Sequence, residues 1–110
     1  MQKPDMNPTC LPICLFNLVV TPQVEDAVTD WLLERDEVVG FSSYPISGHG
    51  SSPHAMSLRE QVAGKRRQIL FQFYLPVDTA RELLEAVKQD FRGSGMHFWL
   101  VPVLDSGHVD

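Results

Sequence analysis

Two histidines five residues apart, His49 and His54, sit in a run, SGHGSSPHAMS at 47–57, that holds almost nothing able to pack a core. Their imidazole nitrogens, with the Met56 thioether close by, could offer ligands to a borderline or soft metal ion. A closed structural site needs about four ligands at fixed geometry, and from Gly48 to Arg59 the chain supplies neither cysteine nor carboxylate. A metal site on His49 and His54 would therefore borrow ligands from a second copy of the chain. The alternative is a pair of solvated imidazoles on a polar loop.

A second group is basic. Arg59, Lys65, Arg66 and Arg67 stand against the single Glu60 in a chain of net charge −5. Charged donors fanned around a glycine, here Gly64, suit phosphate or carboxylate, because the backbone can approach closely while the side chains neutralise the anion. These four are the candidate ligand-binding residues, although a solvated cluster leading into a strand would read the same way.

Catalytic patterns are missing. There is no serine with a motif-placed base, no H-E-x-x-H, no G-x-x-x-x-G-K-[ST] and no CxxC, so no enzyme is expected. The acids Glu25, Asp26, Asp30 and Glu34 fall on a helix exterior. The aromatic strand RQILFQFYL raises RNA, since base-stacking domains carry aromatics on central strands. Yet Phe71 and Phe73 share a face with Ile69 and Leu75, which assigns them to the core, and the acidic balance disfavours phosphate neutralisation. Nucleic acid is not the expected partner.

These residues need elements to hold them. Residues 13–21, ICLFNLVVT, are β-branched and aromatic and stop at Pro22, which reads as a strand. Thr21 then stands at a helix N-cap with Pro22 at the first helical position. Val24, Ala27, Val28, Trp31 and Leu32 form the apolar face of a helix ending near Arg35. Residues 37–46 read as a second, weaker strand, and Ser57 with Glu60 as a capping box for one short turn to Gly64. Residues 67–75 alternate as a third strand. Asp78 is placed to cap a second helix on Ala80, Leu83, Leu84, Val87 and Phe91, which Gly93 stops, and 96–104 are the last strand.

The order β-α-β-β-α-β predicts an α+β ferredoxin-like sandwich: a four-stranded antiparallel sheet with two helices on one face. At 110 residues this is one domain, 13–110, behind a loose leader at 1–12. The leader has no secretory pattern, and the apolar stretch at 13–20, broken by Asn17, is too short to span a membrane, so no membrane insertion is expected. Cys10 and Cys14, if extended, lie roughly 13 Å apart, beyond a disulfide's reach. Free thiols suit a cytoplasmic protein. One feature exceeds fold class: both faces of the strands are apolar, with Ile13, Leu15 and Val19 opposing Cys14, Phe16, Leu18 and Val20, and Trp99, Val101 and Val103 opposing Met96, Phe98, Leu100 and Leu104. A lone sandwich would leave its second face wet and polar, so self-association is expected to cover it.

The stretches VTPQVEDAVTDWLLE, GFSSYPISGHG, SLREQVAGKRRQILFQF and MHFWLVPVLDSG resemble small PII-like proteins of an uncharacterised family encoded beside heavy-metal efflux pumps. The resemblance covers about residues 13–109. It implies a homotrimer with the sheets around a central axis, a signalling loop at 47–58 that contacts a protein partner through Ser47, Gly48, His49, Gly50 and His54, and ligand clefts between subunits at the base of that loop. The chain lacks the glycine-rich T-G-x-x-G-D-G-K segment of nucleotide-binding PII proteins, reading LPVDTA after its third strand, so ATP binding in their manner is doubtful. Likeness to the CutA-type cation-tolerance proteins of the same superfamily leaves direct divalent or soft metal binding as the alternative function.

Overall fold

The computed structural model describes residues 12–50 and 65–110. Cys10, nearly all of the leader, the Ser57–Gly64 turn, His54, Met56 and Arg59 lie outside the described residues. The chain forms β1 (Ile13–Val20), a 3-10 turn (Pro22–Val24), α1 (Glu25–Leu33), β2 (Ser42–Gly48), β3 (Arg66–Pro76), α2 (Val77–Asp90) and β4 (His97–Val103). All strand pairs are antiparallel in the order β2-β3-β1-β4. This is the ferredoxin-like arrangement expected from the sequence, with β1 and β3 central and β2 and β4 at the edges. Each edge strand contains a proline, Pro45 in β2 and Pro102 in β4, a residue that lacks the ladder's donor and is confined to such positions.

Strand alternation sorts the central residues into two layers. Cys14, Phe16, Leu18 and Val20 join Ile69, Phe71, Phe73 and Leu75 in a core capped by Val28 and Leu32 of α1 and Ala80, Leu83, Leu84 and Val87 of α2. Phe16 and Phe73, directly paired across β1 and β3, stack with ring centroids 4.9 Å apart. Ala27, expected on the buried stripe, is exposed. The chain enters α1 through the 3-10 turn, and within the helix Val28 and Leu32 are the buried positions.

Three local expectations are corrected. Thr21 precedes the helical turn as expected, with Pro22 at its first position, but its side chain makes no capping bond; its carbonyl accepts from the Val24 N–H instead. Asp78 does not cap α2: the helix starts two residues earlier than that cap would place it, after Pro76, and Asp78 lies in its first turn, where a carboxylate still meets the positive end of the helix dipole. The second strand runs from Ser42 to Gly48 rather than 37–46. The Val38 N–H bonds Arg35 O in a turn and the Val38 side chain enters the core, which draws 37–41 out of the ladder until Ser42 pairs with Gln72.

The helices are tied at their far ends. Trp31 Nε1 donates to Asp90 Oδ2 at 2.7 Å, Arg35 pairs with the same oxygen at 3.2 Å and lies 4.0 Å over the Trp31 ring, and Phe91 meets that ring edge-on. Asp90→Ala removes the shared acceptor. Because Asp90 is nearly half exposed, the loss is expected to be about 1 kcal/mol, read as a lower urea midpoint with an unchanged slope.

Candidate functional site

Strand register decides which candidate residues meet. Gly48 pairs with Arg66, Val20 with Ile69, and Val19 with His97. The end of β2, the start of β3, the end of β1 and the start of β4 therefore share one end of the sheet. The described boundaries of the loop, Ser47–Gly50 and Lys65–Arg67, open from that end. Ser47 and Gly48, expected in the loop, are instead the last residues of β2, opposite Arg67 and Arg66.

The basic group does not stay together. Alternation along β3 places Arg66 with Gln68 and Leu70 on the sheet face away from the helices, and Arg67 with Ile69 on the helix face. Lys65 precedes the strand and is exposed. Arg66 is half-buried and lies along the glycines opposite: a Cβ on Gly48 would stand 3.2 Å from its Cγ, and one on Gly50 would stand 3.7 Å from a guanidinium nitrogen. The same Cβ on Gly48 would collide with the Gln68 amide. Gly-His-Gly thus leaves a backbone floor over which Arg66 and Gln68 are laid, so that the guanidinium lies close against the chain at the root of the loop.

His49 is exposed on this floor. Among the described residues no group of three His, Cys, Asp or Glu side chains is placed to hold a metal ion, and the expected second ligand, His54, lies outside them. Cys14 is a free thiol buried against the helices. Desolvation pushes its pKa up and Arg81 pulls partway back, which makes it a poor nucleophile and ligand at neutral pH.

The face away from the helices is apolar, as the sequence indicates, but it also carries a feature that periodicity does not reveal. Val19 and Leu70 are buried, while Tyr44, Tyr74, Trp99 and Val101 are exposed. Across the middle runs a row of amides. Asn17, only 1% exposed, donates to Leu15 O at 3.2 Å and Trp99 O at 3.4 Å; Gln72 Nε2 donates to Asn17 Oδ1 at 2.8 Å; and Tyr44 OH donates to Gln72 Oε1 at 3.1 Å. No buried side-chain polar atom lacks a partner among the described residues. Asn17 had been legible only as an interruption of an apolar run. Its register with Gln72, three elements later in the chain, shows its purpose. His97 stands on the same face, edge-on to Trp99 with centroids 6.2 Å apart.

This sheet order, with two helices on one side of a four-stranded antiparallel sheet, is a ferredoxin-like fold of the PII-like kind. Residues 11–110 match the model of a family described as protein of unknown function (DUF3240), and the chain belongs to that family. It is similar to a DUF3240 family protein from Shewanella baltica OS155, with a TM-score of 0.73 at 21% identity over 89% of this chain and 97% of that one. It is also similar to CPII, a nitrogen regulatory PII-like protein from Thiomonas intermedia K12 whose structure holds ADP, AMP and bicarbonate. There the TM-score is 0.65 at 19% identity, again over 89% and 97% of the two chains. A functionally unknown protein from Pediococcus pentosaceus ATCC 25745 aligns at a TM-score of 0.62 and 11% identity, over 90% and 99%. No curated protein matches.

The amide row generates a prediction. Asn17→Leu deprives Gln72 Nε2 of its acceptor in a buried setting and is expected to cost about 1–3 kcal/mol in chemical denaturation. The double change Asn17→Leu/Gln72→Leu should recover part of that loss, because it removes donor and acceptor together.

Proposed function

We propose that this chain is a PII-like regulatory protein that takes a small anionic ligand at the base of its β2–β3 loop and reports it to a protein partner through that loop. It acts by binding rather than catalysis. The observation that carries the reading is the Arg66–Gln68 pair laid over Gly48–Gly50 at the root of the loop, so that an anion drawn to the guanidinium touches the backbone from which the loop departs. The anions in the CPII structure, ADP, AMP and bicarbonate, are the ligand classes to try first. The missing T-G-x-x-G-D-G-K segment argues against ATP held in the usual PII manner.

The assembly proposed is a homotrimer with the helix-free faces inward. Two observations support burial of that face. Between Ile13–Val19, Ser42–Ile46, Gln68–Tyr74 and His97–Val103 it carries no Asp, Glu, Lys or Arg, in a chain of net charge −5. Its central amide row, from Asn17 through Gln72 to Tyr44, is also hydrogen-bonded from within, so that burying that row costs less than burying unpaired amides. The loop's partner is proposed to be a component of a metal-efflux system, on the strength of the sequence resemblance, and the compartment to be the cytoplasm, where the Cys14 thiol stays reduced. No helix among the described residues is long and apolar enough to cross a membrane.

Light scattering on the eluted protein at micromolar concentration is expected to give a mass of three chains; the mass of one chain would overturn the architecture. Calorimetric titration with ADP, AMP and bicarbonate is expected to show saturable binding for at least one, weakened tenfold or more by Arg66→Ala. Equal affinity in that variant, or no binding of any of the three, would remove the ligand reading.

A further inference from the structure

We propose that a single chain carries a second ligand site, for a slim amphipathic monoanion such as a medium-chain carboxylate, between the C-terminal end of α2 and β4. A cavity of about 220 Å³ opens there, room for about seven waters at their share of liquid volume. It lies on the helix side of the sheet, at the opposite edge from β2 and the loop base. Its walls are Leu18 of β1, Leu84, Val87 and Phe91 at the end of α2, and Met96 and Phe98 leading into β4.

The mouth has the opposite chemistry. Lys88, Arg92 and Ser94 line it, and no lining residue is an acid, although acids outnumber bases in the chain by five. Lys88 is accounted for in part: it sits in the last turn of α2, where a cation answers the helix dipole, and it pairs with Glu85 at 3.6 Å. Arg92 is not, since it lies beyond the helix end and makes no ion pair among the described residues.

The walls also look unfinished. Phe98 faces the helix layer yet is 39% exposed, with the Lys88 ammonium 5.6 Å from its ring centroid on the open side. Gly93 and Gly95, at φ +78° and +77°, fold the connection back so that Ser94 sits at the mouth, its hydroxyl accepting from the Met96 N–H at 3.3 Å. These left-handed turns are open to glycine at little cost. An apolar tail between Val87, Met96 and Phe98 would cover the exposed ring, and a carboxylate at the mouth would meet Arg92, the geometry in which a guanidinium forms its stronger, charge-assisted bonds. A neutral molecule would gain nothing from Arg92, and a short anion would leave the walls bare.

The test follows the Met96 methyl by NMR in protein carrying labelled methionine methyls, assigned with Met96→Leu, during titration with sodium octanoate. The expected result is a saturable shift of the Met96 signal, with acetate and octanol each at least tenfold weaker and with at least a tenfold loss of octanoate affinity in Arg92→Glu. Arg92 is exposed, so this variant is expected to fold, which its unfolding midpoint checks. No movement of Met96 at millimolar octanoate, equal affinity for octanol, or an unchanged affinity in Arg92→Glu would overturn the proposal. The site lies within one chain and does not use Arg66, so its outcome is independent of the trimer and of the loop-base ligand.

Discussion

Two adjacent residues of β1 hold the design in place. Phe16 stacks on Phe73 beneath the helices, and its neighbour Asn17 takes the Gln72 amide on the opposite side of the same strand pair. A slip of one residue between β1 and β3 would bring the slipped strand's amide into the helix-side core and its phenyl ring to the other face, because side chains alternate with a period of two. The stack and the hydrogen bond are therefore two halves of one β1–β3 register lock, and the Tyr44–Gln72 bond carries the same amide row across to β2, whose own register with β3 sets Arg66 opposite Gly48.

That lock explains how two apolar faces coexist in a small chain without ambiguity. A strand that is apolar on both sides carries little information about which side belongs to the helices. The Asn17–Gln72 pair supplies it, since a hydrogen-bonded amide row is tolerable under a second flat sheet but not under packed leucines. The row answers its own amides, so the middle of this face keeps its polar groups paired without help from outside.

Much of the fold was legible in the chain. The alternation of Ile69, Phe71, Phe73 and Leu75, the stripe from Ala80 to Val87 and the stop at Gly93 each have a local cause, and each stands where the sequence puts it. The misplacements have their own causes: Val38 turning into the core moved the start of β2, and α1 gives the core only Val28 and Leu32, leaving Ala27 exposed. The site was less legible because its logic is pairwise. Arg66 and Arg67 look alike as neighbours in sequence, but strand geometry sends them to opposite faces. The cavity under Phe98 is assembled from β1, α2 and β4, and no linear spacing announces such a meeting.

The prolines of the outer strands bear on how the molecule behaves in a crowded solution. A sheet whose rim offers uninterrupted donors can recruit strand after strand with no natural stopping point. Pro45 and Pro102 each delete one such donor, one on either rim. Growth by edge addition is handicapped at both borders. An aromatic sheet face can therefore stand open in a small chain without its rims inviting the strand-upon-strand stacking that ends in fibres.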